Sequence, residues 1–168
     1  MTGEPLSDAD RRTVAAQLGR EPRGAQAVAH RCPCGLPDVV QTAPRLADGT
    51  PFPTLYYLTC PRATAAVSAL ESAGLMRQMS ARLGSDPALA QRYREAHERY
   101  LVRRAAIAEV AEIAEVSAGG MPTRVKCLHV ALAQSLAEGT GGNPFGDETR
   151  ELIGPWWTAG PCVQLDQA

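Results

Sequence analysis

The segment 25-AQAVAHRCPCGLPDVVQTAPRLADGTPFPTLYYLTC-60 decides the fold class of this chain. Three β-prone stretches, at residues 25–31, 38–46 and 54–59, are separated by a Cys-Pro-Cys-Gly turn and by an Asp-Gly turn of the kind that favours hairpins. Three consecutive strands joined by short turns form most simply an antiparallel meander. The segment therefore predicts a small three-stranded sheet over about residues 25–59.

The remainder of the chain is predicted to be helical. A Ser-Asp-Ala-Asp capping sequence precedes the first apolar residues at helical spacing. After Pro61, the chain is divided into further helices by Gly and Pro residues. The predicted helices span residues 8–18, 62–73, 75–83, 87 to about 110, 123–138 and 144–153. We expect one α+β domain over residues 1–168, with helices covering one face of the meander, an all-helical C-terminal half and a Pro/Gly/Trp-rich tail at 154–168.

Composition limits the classes of partner. Seventeen Lys and Arg against eighteen Asp and Glu give a net charge of −1, so a large basic surface for nucleic acid is not expected. Residues 1–20 contain no apolar segment typical of a signal peptide, and no stretch approaches the length of a membrane span. The sequence therefore predicts a cytoplasmic protein without a membrane partner, in which the five cysteines are thiols, ligands or nucleophiles.

Three segments resemble the bacterial, mainly actinobacterial, family catalogued as domain of unknown function 501. They are residues 42–59 (TAPRLADGTPFPTLYYLT), 117–129 (SAGGMPTRVKCLH) and 143–147 (NPFGD). The resemblance extends from about Val14 to Trp157. It implies no activity and no catalytic residue. Genes of such proteins often neighbour those for a septum-formation initiator protein, enolase and exopolyphosphatase, and this association suggests a protein-interaction role linked to cell division as one alternative.

A first candidate site combines His30, Cys32, Cys34 and Cys60. Alternate residues of an extended chain share a face, and in a meander the third strand ends where the first strand ends, so Cys60 is expected near the 32–37 turn. Thiolate and imidazole ligands are typical of zinc and iron–sulfur sites. The C-x-C spacing is less typical of zinc than C-x-x-C. The alternative is a turn cysteine with two inert, buried thiols.

A second candidate site lies in residues 117–129. Gly119 and Gly120 precede a predicted helix, whose free N–H groups and positive dipole end favour an anion. The anion-binding candidates are Gly119, Gly120, Arg124, Lys126 and His129. The sequence thus predicts binding of a small anion or a phosphorylated metabolite, although the P-loop spacing is absent.

Cys127 and His129 are also candidates for catalysis. In a helix that begins at residue 123 they would lie about 200° apart, on opposite sides, and they could cooperate only if the helix began later. A structural histidine is the alternative. Whether the chain is an enzyme stays open from the sequence. Trp156 and Trp157 are expected to hold the tail on an apolar seam, or else to anchor a protein partner.

Overall fold

The sheet has the predicted meander with one further strand at its edge. The computed structural model describes residues 3–165. Within them the strands lie in sequence order and are all antiparallel: β1 (Glu4–Pro5), β2 (Ala25–Arg31), β3 (Pro37–Thr42) and β4 (Tyr56–Leu58). The α+β fold class and the helical C-terminal region are confirmed. The predicted second strand, 38–46, ends earlier, at Thr42, because the chain then turns through the isolated bridge between Arg45 and Pro51.

The helices follow the predicted order. They are α1 (Asp8–Leu18), α2 (Pro61–Ser72), α3 (Leu75–Ser85), α4 (Pro87–Ala105), α5 (Leu128–Glu138) and α6 (Pro144–Ile153), with a 3-10 turn at Ala111–Ile113. Two bounds differ from the prediction by about five residues, and the others agree within two. α4 ends at Ala105 rather than near Val110, and α5 begins at Leu128 rather than at Thr123. The start of α5 is set by contacts distant in sequence.

The two faces of the sheet are covered unequally. Val39, Tyr56 and Leu58 point into the main core, which α2, α3, α4, α5 and α6 enclose. Val40 points to the opposite face, where α1 contributes Val14 to a much smaller core. The sequence order suggested helices on one face only. α1 is on the second face because the chain enters the sheet through β1, at the edge beside β2.

α5 lies at the centre of the main core. Leu128, Leu132 and Leu136 of α5 are buried, with exposures of 0%, 0% and 4%, as is Val125 just before the helix. α5 contacts α2, α6 and the sheet. The first turn of α5 lies against α2, with contacts from Leu128 to Glu71 and from His129 to Thr64.

The tail packs partly onto the same core. Trp156 is buried and stacks edge-to-face on Trp157, with ring centroids 4.8 Å apart. The predicted apolar seam is thus confirmed for the described part of the tail, while residues 166–168 lie outside the described residues. Between residues 3 and 165, every helix is too short or too polar to span a lipid bilayer.

Candidate metal centre

The segment before α5 is held in a non-helical conformation by its neighbours. Ser80 of α3 accepts a hydrogen bond from the Val125 amide at 2.9 Å, and the hydroxyl of Tyr93 in α4 donates to the Arg124 carbonyl at 3.0 Å. The Lys126 amide donates to the Gly119 carbonyl at 2.7 Å. A helix starting at Thr123 would bond the Leu128 amide to the Arg124 carbonyl, but that carbonyl accepts from Tyr93 and that amide donates to Glu71. α5 accordingly starts only at Leu128.

The late helix start brings Cys127 and His129 together. Cys127 is the N-cap residue of α5 and has extended backbone angles, with φ −149° and ψ 114°. Its Sγ lies 3.9 Å from Nδ1 of His129. The expectation that the two side chains lie on opposite sides of a helix was wrong, since only His129 is helical.

Glu71 completes the group from the last turn of α2. Its Oε1 accepts a hydrogen bond from the Leu128 amide at 2.8 Å and lies 3.2 Å from Nδ1 of His129. A carboxylate is favourable there because the first amides of a helix form its positive end. Sequence reasoning missed Glu71, which is separated from Leu128 by 57 residues, because no local pattern connects α2 with the start of α5.

The far side of the His129 ring has a fixed hydrogen-bonding pattern. Nε2 lies 3.2 Å from the Thr64 carbonyl oxygen and 3.2 Å from Oγ of Ser68, both on α2. A carbonyl oxygen only accepts, so Nε2 carries the hydrogen that it donates. The second ring nitrogen, Nδ1, faces the Glu71 carboxylate and the Cys127 sulfur. Its lone pair can therefore bind a proton or a metal ion.

The surroundings of His129 favour the protonated, positively charged form of its ring. The side-chain interaction with Cys127 and then the charge of Glu71 raise the pKa of His129 to about 9, although partial burial opposes the shift. The two groups thus create a local preference for positive charge at Nδ1. A bound cation satisfies the same preference.

The donor atoms have the spacing of a metal-ligand set. One oxygen of Glu71, Sγ of Cys127 and a ring nitrogen of His129 lie within 4.8 Å of one another, and all three residues are partly buried. Zinc bonds of about 2.0–2.3 Å place tetrahedral ligand atoms about 3.3–3.6 Å apart. The observed 3.2 and 3.9 Å need only small adjustments to reach this range.

Of the predicted anion-binding residues, His129 belongs to this centre, while Gly119, Gly120, Arg124 and Lys126 precede α5. Gly119 and Gly120 have φ of 65° and 87°, and a Cβ on Gly120 would clash with the Arg124 carbonyl. Both glycines serve a tight loop several residues before α5, while Glu71 holds the helix start itself. Arg124 and Lys126 are exposed.

The turn cysteines of the first candidate site form pairs instead of one group. Within the described residues, Glu71, Cys127 and His129 are the only three His, Cys, Asp or Glu side chains whose ligand atoms lie so close together. The thiol of Cys32 interacts with that of Cys34, and the thiol of Cys60 with that of Cys162. Burial raises the pKa of Cys32 to about 12 and that of Cys60 to about 11, which favours neutral thiols.

His30 has a partner of its own. Its Nδ1 lies 2.7 Å from Oδ1 of Asp38, a residue with no exposed surface at the start of β3. The ring therefore joins the ends of β2 and β3 at the sheet end that carries the 32–37 turn.

Comparison with known proteins adds one finding. A sequence model of the family described as "Protein of unknown function (DUF501)" matches residues 28–151, well over half of the chain. No curated protein and no solved structure shows a significant match. The match spans Glu71, Cys127 and His129, together with β3, β4 and the helices α2 to α5.

Proposed function

The chain belongs to the DUF501 family, and because that family supplies no activity, we propose from the geometry that the protein binds a divalent transition metal. The ligands are Oε1 of Glu71, Sγ of Cys127 and Nδ1 of His129. The fourth position of a tetrahedral site is left for water or for a small ligand, as in zinc sites with three protein ligands.

The orientation of the His129 ring carries this proposal. A histidine that binds a metal through one nitrogen commonly donates its other N–H to a backbone carbonyl, which fixes the ring and its tautomer. Nε2 of His129 does this with Thr64, and Nδ1 points at a carboxylate and a sulfur at the same time. A neutral ring of this tautomer would otherwise place a lone pair against the Glu71 oxygen.

Zinc is the metal that this donor set favours. A mixed sulfur, nitrogen and oxygen set suits Zn²⁺, whereas Mg²⁺ and Ca²⁺ prefer oxygen ligands alone. An iron–sulfur cluster needs mainly thiolates, and this group has only one. The proposal assumes a reducing compartment such as the cytoplasm, in which Cys127 is a thiol available for binding.

The predicted preference for small anions fits the open position of the proposed site. Lys126 is adjacent to Cys127 and is exposed, as is Arg124. Together with a divalent cation, these side chains favour a carboxylate or phosphate group as the fourth ligand. In this arrangement Cys127 and His129 act as ligands.

The proximity of the Cys127 sulfur and the His129 imidazole also supports a second candidate function. A thiol beside an imidazole, with a carboxylate that orients the ring, is the arrangement of a cysteine nucleophile. In that case Cys127 reacts with electrophilic substrates, and added metal inhibits by occupying the same three atoms.

Metal analysis of matched variants tests the proposal. We expect about one zinc ion per chain in the wild-type protein purified without chelator, and the same in Cys34→Ser, a half-buried cysteine outside the centre. Titration calorimetry with Zn²⁺ should show at least a tenfold loss of affinity for Cys127→Ser, His129→Gln and Glu71→Gln. Glu71→Gln is the sharpest variant, because the amide oxygen can still accept from the Leu128 amide.

Two results would overturn the proposal. One is the absence of zinc binding by the wild-type protein at micromolar Zn²⁺. The other is binding that survives the three substitutions but is lost in Cys32→Ser or Cys60→Ser, which would move the site to the turn cysteines. Rapid alkylation of Cys127 by iodoacetamide in wild-type protein that contains no zinc as purified would favour the nucleophile instead.

A further inference from the structure

A cavity lies on the opposite side of the sheet from the metal centre. It measures about 370 Å³, which is within the range of small-molecule sites. Its floor is formed by Ala25 and Val40 of the sheet. Its walls include Leu18 at the end of α1, and Leu46 and Phe52 of the loop between β3 and β4.

The cavity exists because α1 covers only part of this sheet face. α1 ends at Leu18, and Gly19, with φ of 70°, turns the chain away. Among residues 3–165, the buried apolar cluster on this face is small and consists of Val14, Ala25 and Val40. Leu46 packs close to Gly24 from the other side, so a gap remains between the helix end and the loop.

The mouth of the cavity is positively charged. Arg20 lines it and donates to two neutral oxygens, the Glu21 carbonyl at 3.3 Å and the Tyr57 hydroxyl at 3.4 Å. Among residues 3–165, no carboxylate forms an ion pair with Arg20. Arg23 also lines the mouth, and its one pair, with Asp48 at 3.2 Å, is mostly exposed and so contributes little.

We propose that this cavity binds a small amphipathic carboxylate, with its aromatic or branched aliphatic group inside and its carboxylate on Arg20. The planar guanidinium suits a carboxylate, with which it forms paired, charge-assisted hydrogen bonds. The lining contains no Asp or Glu side chain that would repel the ligand. This site is independent of the proposed metal centre.

Titration of the full chain with 4-tert-butylbenzoate, followed by amide chemical shifts, tests the inference. We expect shifts centred on Ala25 and Val40, and at least tenfold weaker binding of the neutral 4-tert-butylbenzyl alcohol, since hydrogen bonds to charged groups contribute this much. Arg20→Gln should weaken benzoate binding about tenfold. Arg12→Gln, which removes an exposed arginine of α1, should leave it unchanged.

Several results would overturn the inference. Equal binding of the acid and the alcohol to wild-type protein would show that Arg20 does not recognise the carboxylate. This comparison does not depend on the folding of any variant. Shifts located away from the cavity would place the ligand elsewhere. Tighter binding of 4-tert-butylphenyl phosphate than of the benzoate would show that the site selects phosphate esters.

Discussion

Arg31 joins three elements through its guanidinium group. It pairs with Glu4 of β1 at 2.9 Å and with Asp10 of α1 at 2.9 Å, while its own backbone belongs to β2. Asp10 also closes the capping box with Ser7 at the start of α1. The hydrogen bonds from Arg31 and Ser7 hold the pKa of Asp10 below its usual value, against the effect of burial.

The stabilisation by Asp10 should depend on pH. A carboxyl whose pKa is lowered on folding contributes stability above its unfolded pKa of about 3.9, and that stability is lost as the pH falls through the folded pKa. Asp10→Asn should therefore lower the free energy of unfolding by about 1.5 kcal/mol at pH 7, with a smaller difference below about pH 4. Urea unfolding at several pH values measures both.

Asp8→Asn is the matched control for this prediction. Asp8 is exposed in the same first turn of α1, so its replacement should cost only about 0.3–0.5 kcal/mol. If the loss of unfolding free energy in Asp10→Asn stayed constant from pH 7 to pH 3, the charge of Asp10 would not be the origin of its stabilising effect.

At the residue scale, the sequence identified two of the three residues of the proposed centre. Cys127 and His129 stand in one short segment, where their side-chain chemistry is visible without any knowledge of the fold. Glu71 looks like one more charged residue on a helix, because only tertiary packing carries it to the start of α5. For the cysteines at 32, 34 and 60, the order of the strands was predicted correctly but the contacts between the sulfur atoms were not. Strand order alone does not determine which sulfur atoms lie close together.

At the scale of elements, helix bounds were predictable where the stop and start signals are local. α1 and β2 have the predicted bounds, since Ser7 and Gly19 close α1 within its own sequence. The start of α5 was not predictable in the same way. Ser80 and Tyr93, from two other helices, hold the preceding residues out of the helix.

The Asn-Pro-Phe-Gly-Asp segment shows how closely α5 and α6 approach. Buried Asn143 accepts hydrogen bonds from the amides of Phe145 and Gly146 at the start of α6. Phe145 packs edge-to-face on Tyr93, with centroids 4.9 Å apart. A Cβ at Gly146 would overlap the Ala131 carbonyl and Ser135 of α5. The glycine thus permits contact between the two helix backbones.

Gly146→Ala should destabilise the protein by about 3 kcal/mol, because overpacking forces α5 and α6 apart. Gly84→Ala is the matched control. Gly84 lies exposed in α3, and a Cβ added there would meet nothing within 4 Å, so alanine should stabilise the protein by about 0.5–1 kcal/mol. Thermal unfolding of the two variants measures the difference, and two substitutions with the same sign would contradict this account of the α5–α6 contact.

At the scale of the whole molecule, the proposed metal ties α2 to the central helix α5. Zinc at about 100 times its dissociation constant should stabilise the native protein by about 2.7 kcal/mol, since it binds the folded state. For a domain of this size the melting temperature should rise by about 5–10 °C. Scanning calorimetry with and without Zn²⁺ measures the rise, and a chelator should reverse it.

The Glu71→Gln variant provides the comparison. At the same zinc concentration it should show at most about half of the zinc-induced rise, since a tenfold loss of affinity lowers the stabilisation to about 1.4 kcal/mol, whereas Cys34→Ser should show all of it. An equal rise in wild type and Glu71→Gln would mean that zinc stabilises the protein from another position.

The unequal covering of the sheet was also only partly visible in the sequence. The alternation of Tyr56 and Tyr57 predicts that one ring is in the core and the other outside, and this is what the structure has, with Tyr56 buried and Tyr57 beside the cavity. Which helix covers the outer face depends on the pairing of β1 with β2. A two-residue strand carries too little pattern to be recognised from sequence.

The adjacent tryptophans have an optical consequence. The chain has two tryptophans, Trp156 and Trp157, so all of its indole emission originates at one point just after α6. Fluorescence will therefore report the release of the tail, while far-ultraviolet circular dichroism reports the helices as a whole. Coincident transitions by the two signals would establish that this short segment melts together with the rest of the molecule.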